Sequence, residues 1–468
     1  MPSGDVASQL ARVATSPRHR HIMKIAIAPS RLGFFNFLTT GFVLPFYLLL
    51  LSGFPTVDAV KVCSMIFVQI VAGAIIWINA SPSTKMDSIE AVGMGLAIGS
   101  IFTVIGHQIF LQTPLKSFGW SLPALVALSL TATSHSATKL REKLAFTDFS
   151  GVVFVAFSTV FILKQWWWLL PLALPTGLAL FCHSNTGRKT LGKFMKTTWV
   201  VITLLLLIAT VAMVYLRQLN LDWLIRSWDM QFFESRSYSI AKFGRNENIS
   251  LLGYPIEYHW FGLAWLGSIS IVCDLGPWLA TAQLAPILSA IAIACSIHAI
   301  SRRAASNKVT KYAILFLFAF VSTGFSPANI TNIISLIWFF ASIVVIHEYF
   351  VGFSPKIFSI FAALALAALS SKVSAGFTLL VAFTLTELFL VAKADIRKSA
   401  MRIVTLVFGS IISYFLVIGG PNRFGDDYLG FNFKNTAYFL GVEPERNLII
   451  FFVATLGFLL SFIPTSSA

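Results

Sequence analysis

Residues 257–275 read EYHWFGLAWLGSISIVCDL, and whether this stretch crosses a membrane decides the topology of the chain. It is apolar and long enough to span. The charge on either side argues otherwise. Lys and Arg concentrate in cytoplasmic loops of membrane proteins, and this chain has three basic clusters between apolar runs. Arg188, Lys189, Lys193 and Lys196 form the first. Arg302, Arg303, Lys308 and Lys311 form the second. Lys393, Arg397, Lys398 and Arg402, with Asp395, form the third. A crossing at 257–275 would put the second and third clusters on the opposite side from the first. Without that crossing, all three clusters and the basic N-terminus (Arg12, Arg18, Arg20, Lys24 and Arg31 against Asp5) share one side. Residues 257–275 are therefore expected to form a re-entrant or interfacial helix on the outer face. Non-crossing backbone is tolerated there where it lines a protein cavity.

The rest of the chain reads as membrane-spanning. Of 468 residues, 57% are hydrophobic and 11% charged, against about 25% charged in a soluble domain; mean hydropathy is +0.80. Apolar runs that can cross a hydrocarbon core of about 30 Å are expected at 33–52, 60–79, 91–111, 119–135, 150–163, 167–182, 198–216, 279–299, 312–326, 331–350, 357–370, 374–393, 403–419 and 447–463. Such runs must be helices, because lipid offers no partner for backbone polar groups. The expected fold is all-α and polytopic, with about fourteen transmembrane helices and both termini cytoplasmic. Four parts follow: a basic tail at 1–32, a membrane bundle at 33–216, an outer loop with juxtamembrane helices at 217–278, and a second bundle at 279–468.

The net charge of +15 does not imply nucleic acid, because it sits in the loop clusters just named. Cys63, Cys182, Cys273 and Cys295 lie in or beside apolar segments, without metal-ligand spacing. Gly93, Gly95 and Gly99 fall inside a predicted span with no strand before them, which makes them helix-packing glycines and not a dinucleotide loop. Glu387 is an acid within a predicted span, near its cytoplasmic end.

Chemistry concentrates in the larger outer loop. It contains Trp228-Asp229-Met230-Gln231-Phe232-Phe233-Glu234-Ser235-Arg236, and later Tyr254-Pro255-Ile256-Glu257-Tyr258-His259-Trp260-Phe261. On a helix, Asp229, Phe232, Phe233 and Arg236 share one face at spacings of three, four and seven. Trp260 and Phe261 are expected to anchor at the membrane interface. Lys372 stands apart, within Ser370-Ser371-Lys372-Val373-Ser374, between two short spans and on the outer side.

This loop resembles that of the GT-C superfamily of membrane glycosyltransferases, which use sugars carried on polyprenyl phosphates or pyrophosphates. In that family the outer loop opens with an Asp among aromatics and closes on a proline or Tyr-His motif that starts a membrane-lying helix. Asp229 matches the acid, and Tyr254 to His259 match the closing motif. The resemblance covers this loop only. About seven predicted spans precede the loop here, whereas the family's acidic loop follows the first span, and no Asp-x-Asp metal motif is present.

The resemblance implies glycosyl transfer from a polyprenyl-phosphate-linked donor to an envelope glycan, lipid or protein, on the extracytoplasmic face of a bacterial cytoplasmic membrane. Such transfer needs a base for the acceptor hydroxyl and positive charge for the departing phosphate. Asp229 is the expected base, with Asp222 second. Arg236, Glu257, Tyr258, His259 and Lys372 are the expected substrate-binding residues. No fixed cofactor is implied, and a divalent metal is left open. The competing reading is a multi-pass transporter or a flippase for lipid-linked saccharides, which many spans and short broken helices also suit. A transporter should gather polar groups near the bilayer midplane, and the charges here gather in one outer loop. Cysteine accessibility tests the topology directly: Ser306→Cys is expected to react only from inside. External labelling of Ser306→Cys would contradict it.

Overall fold

The structure, a computed structural model, describes residues 29–81, 86–134, 144–145, 149–163, 228–244, 256, 259–303, 329–351, 354–391 and 396–412. These residues are almost entirely helical, as the apolar runs require. The helices are α1 (Pro29–Leu38) and α2 (Leu44–Leu51), joined by the π-helical turn Thr39–Val43, then α3 (Thr56–Ala80), α4 (Ser88–Phe110), α5 (Leu122–Ser134) and α6 (Phe149–Leu163). They continue as α7 (Trp228–Phe243), α8 (Trp260–Cys273), a π turn (Leu279–Leu284) running into α9 (Ala285–Arg303), α10 (Ile330–Val351), α11 (Pro355–Ser371), α12 (Val373–Val391) and α13 (Ile396–Ile412). A two-residue parallel bridge, β1 (Met86–Asp87) with β2 (Leu144–Ala145), precedes α4.

Among the described residues, five segments are long and apolar enough to cross a membrane: Gly33–Leu51, Thr56–Ala80, Ser88–Phe110, Leu279–Arg303 and Ile330–Tyr349. The chain is a membrane-embedded helical protein on this ground. Each described helix lies on a predicted span or in the outer loop. Several begin earlier than expected: α1 starts at Pro29, inside the predicted tail, α3 at Thr56, α4 at Ser88 and α13 at Ile396. The predicted spans 167–182, 198–216, 312–326 and 447–463, and both termini, lie outside the described residues.

Small residues set the closest helix contact. A Cβ on Gly73, Gly95 or Gly99 would overlap backbone of the facing helix, so α3 and α4 pack backbone to backbone, as small residues permit in membrane helices. Charge then fixes which helix ends meet. Arg303, at the end of α9, bonds Glu90 at the start of α4 (Nε to Oε2, 3.2 Å) and pairs with Glu348 near the end of α10. Glu90 also accepts from Trp77 Nε1 near the end of α3 (3.0 Å). Beside them Arg302 pairs with Asp87 at 2.6 Å, and the same carboxylate lies 3.3 Å from His298. A second group follows directly: Tyr349 donates to Glu387 of α12, which holds Arg402 of α13 through two bonds of 3.0 and 2.9 Å. Glu387 is thus a buried structural partner and not a lone intramembrane acid. These pairs define one side of the layer, the Arg303 face.

The opposite side carries the start of α3, the end of α4 and the start of α10. The α11–α12 break at Lys372 lies there too, since a Cβ on Gly262 would stand 3.3 Å from Ser371 Oγ and 3.0 Å from Ile334, in the second turn of α10. α8 is fourteen residues long, about 20 Å at 1.5 Å per residue. It starts beside Ile334 and Ser371 and ends with Cys273 Sγ 3.6 Å from Met65 Sδ. Met65 belongs to the N-terminal half of α3. Both ends of α8 therefore pack in the same half of the layer. Near its middle, Trp265 donates to Gln69 (3.1 Å).

Arg303 makes the Arg303 face testable. Arg303→Leu leaves two buried carboxylates without their cation, a loss of about 3–5 kcal/mol for a buried pair broken on one side. A markedly lower unfolding temperature in detergent is expected, and adding Glu90→Gln and Glu348→Gln should restore much of it. An unchanged melting curve for Arg303→Leu would contradict the role given to this residue.

Candidate functional site

Three elements bring the site together on the face opposite Arg303. The first is α7. It packs along α8 so closely that a Cβ on Gly267 would overlap the carbonyl oxygen of Ser237. His107, near the end of α4, anchors the far end of α7 by bonding the carbonyl of Ala241 at 2.8 Å. Within α7, the Arg236 guanidinium lies 3.7 Å from the centre of the Phe232 ring, one turn earlier, a cation–π contact. Phe232 is exposed and Phe233 is buried, so the expected shared face divides: Phe232 and Arg236 stay together and Phe233 turns into the core. Asp229 is the second residue of α7, seven residues before Arg236, about 10 Å along the axis. Glu234 accepts from the backbone N–H of Trp278; burial raises its pKa and this bond works against the rise.

The second element is the start of α8. His259 precedes it with φ 44° and ψ 47°, a left-handed conformation that non-glycine residues seldom adopt, although His is enriched there. The reversal directs the chain from residue 256 into the helix and buries the imidazole, which is 4% exposed. Phe261 is buried with its ring edge-on to Trp338, centroids 5.4 Å apart. It is a core residue, which corrects its expected role as an interface anchor; the interior of the layer offers it more apolar contact than the rim.

The third element is the break at Lys372. Ser371 ends α11, Lys372 is extended (φ −157°, ψ 113°), and α12 begins at Val373. The Lys372 N–H closes α11 on Ala368, and its carbonyl accepts from the N–H groups of Ala375 and Gly376, opening α12. A Cβ on Gly376 would meet Leu369 at 2.4 Å or so without side-chain room to give, so the two helices fold back tightly on one residue. Such a break presents the first N–H groups of α12, and a helix start favours negative charge.

These elements meet at His259. Burial pushes its imidazole down to about 3, and the charges of Lys372 and then Arg236 push in the same direction. The imidazole thus stands within electrostatic reach of two cations, Lys372 at the α11–α12 break and Arg236 of α7. Ser371 Oγ and Trp260 Nε1 are buried polar atoms at the same place without a hydrogen-bond partner among the described residues. Unsatisfied buried donors are uncommon and call for a reason. Among the described residues no group of His, Cys, Asp or Glu side chains is suited to hold a metal ion.

Comparison with protein-family models, with curated proteins and with solved structures finds no match to this chain. The site therefore has to be read from its own geometry. Of the residues expected from sequence, Arg236, His259 and Lys372 come together, and Asp229 lies on the helix that carries Arg236. Asp222, Glu257 and Tyr258 lie outside the described residues. The sequence alone gives the Ser371 hydroxyl no binding role; the serine pair before Lys372 is the available signal. The sequence also does not mark Asp87 and Glu90, whose arginine partners are more than two hundred residues away, or Glu348, which pairs with Arg303.

The His259 shift makes a pH prediction. Its folded pKa of about 3 lies below the ordinary 6.5, so the neutral form is the one folding favours. The stabilisation is complete above pH 6.5 and is lost progressively as pH falls from 6.5 toward 3. His259→Gln is expected to lose less stability than the parent chain across that window, measured as thermal unfolding in detergent. Parallel pH profiles for the two would contradict the burial of a neutral His259.

Proposed function

We propose that this protein is a membrane glycosyltransferase of the GT-C type. It moves a sugar from a polyprenyl-phosphate-linked donor to an envelope acceptor at the extracytoplasmic face of a bacterial cytoplasmic membrane. The observation that carries the reading is the meeting of Arg236, His259 and Lys372 at a helix break, with Asp229 on the same helix as Arg236. A phosphate of the donor fits this surrounding: two fixed cations, the free N–H groups of a helix start, and two donors, Ser371 Oγ and Trp260 Nε1, that want an acceptor. The Arg303 face, with Arg302 and Arg402, is the cytoplasmic side by the rule that basic residues stay inside. The site then opens outward, and α8 is a re-entrant helix whose two ends stay in the outer half.

The chemistry is a substitution at the anomeric carbon. The acceptor oxygen bonds to that carbon, the bond from the carbon to the phosphate oxygen breaks, and its electron pair stays on the phosphate. Asp229 takes the proton of the acceptor hydroxyl. Charge grows on the phosphate as it leaves, so Arg236 and Lys372 stabilise the transition state more than the bound donor. His259 is neutral in this account and contributes a hydrogen bond without adding charge. A transporter reading rested on intramembrane charge, and Glu387 is already committed to Arg402 and Tyr349.

Asp229→Asn tests the proposal. The purified variant in liposomes, supplied with a polyprenyl-phosphate sugar and an envelope extract as acceptor, should transfer sugar about 10²–10⁴-fold more slowly, the usual worth of a general base. Expression and insertion should be unchanged. Full transfer by the variant would remove Asp229 as the base. Movement of the donor across the bilayer by the parent chain, without any covalent transfer, would favour the flippase.

A further inference from the structure

A cleft of about 310 Å³ opens at the other end of α8, away from His259. Its walls are Met65 and Val68 of α3, Trp120 from the 3₁₀ turn Lys116–Ser121, and Val272 and Cys273 at the end of α8; Lys61 stands among them. The surfaces beside it are apolar and exposed: Val57 is 68% exposed and Phe118 65%. In a membrane-embedded chain, an exposed apolar surface of this kind suits contact with hydrocarbon. The cleft lies in the half of α3 toward its start, the half opposite the Arg303 face.

The charges on the same stripe of α3 have an order. Asp58, Lys61, Met65 and Val68 follow at helical spacing, so they form a ladder along one face. Met65 and Val68 line the apolar part, Lys61 comes next toward the helix start, and Asp58 is outermost. Lys61 Nζ lies 3.3 Å from Asp58 Oδ1, and the lysine side chain is 45% exposed. An exposed pair of this kind is weak, so an incoming ion pair can exchange with it at small cost. One turn separates the two residues, about 4.5 Å of rise for three residues. A phospholipid with a phosphoethanolamine head has the same order: apolar chains, then a phosphate, then a primary ammonium one two-carbon linker further out.

We propose that this cleft seats one phospholipid of the phosphoethanolamine-head class. An acyl chain fills the space between Met65, Val68, Trp120, Val272 and Cys273. The phosphate lies on Lys61 and the ammonium on Asp58. A carboxylate accepts hydrogen bonds from a primary ammonium and finds no donor on a quaternary one, so the seat distinguishes ethanolamine from choline heads. It distinguishes both from purely anionic heads, which Asp58 repels. This seat is separate from the cationic site at His259 and does not depend on the sugar-transfer reading.

Bound lipid on the full-length chain tests it. Protein purified from nanodiscs of equal parts phosphatidylethanolamine, phosphatidylcholine and phosphatidylglycerol is examined by native mass spectrometry. The expected result is one retained lipid, enriched for phosphatidylethanolamine over phosphatidylcholine roughly five-fold, the worth of one exposed charge pair. Asp58→Asn should abolish that enrichment and still retain a lipid. Val68→Trp, which fills the cleft from an exposed position, should lose the lipid whatever its head. Both variants should melt like the parent. Equal retention of the three lipids by the parent chain, or an undiminished preference in Asp58→Asn, would overturn the proposal.

Discussion

One guanidinium, that of Arg303, sits between two buried carboxylates on two other helices, Glu90 and Glu348. Ions taken out of water are tolerated only when paired with good geometry, so the three residues must meet. Their meeting decides that α4 starts where α9 and α10 end. Trp77, which donates to Glu90, adds the end of α3. α11 then returns to the far side, the Lys372 break falls there, and α8 packs against the far halves of α3, α10 and α11. The catalytic proposal therefore leans on an interaction at the opposite face of the layer.

Burial gives the far side its chemical character. α8 is buried from Phe261 to Ser270, and Gly262 and Gly267 allow α11 and α7 to approach it closely. Close packing excludes water, and charges act more strongly where water is excluded. His259 registers this: the imidazole is held neutral by burial and by its cationic neighbours. A site of two cations and a neutral ring suits an anion that arrives with its own charge and leaves with more.

Much of this was legible in the sequence because membrane proteins write their fold in run length. The spans at 60–79, 91–111 and 331–350 map directly onto α3, α4 and α10. The basic clusters lead to the expectation that 257–275 does not cross, and a single fourteen-residue helix, α8, occupies that stretch. The break at Ser370-Ser371-Lys372 was visible as a polar interruption between two short runs. Long-range pairing was not visible. Nothing local marks Glu90 as the partner of Arg303, and an acid in the first turn of α4 reads equally well as helix-start charge. The burial of Phe261 was likewise hidden, because an aromatic beside a tryptophan has the same pattern at an interface and in a core. The approach of Arg236 to His259 depends on Gly267, a single small residue inside an apolar run.

In the proposed function, Arg236 of α7 and Lys372 at the α11–α12 break hold one phosphate. A double-mutant cycle on the binding of a short-chain polyprenyl phosphate measures this directly. Arg236→Gln and Lys372→Gln are each expected to weaken binding by more than ten-fold, about 1.4 kcal/mol or more, and the double variant should lose less than the two losses added, because each cation's contact depends on the phosphate position the other sets. Unchanged affinity in either single variant, or strictly additive losses, would contradict the account.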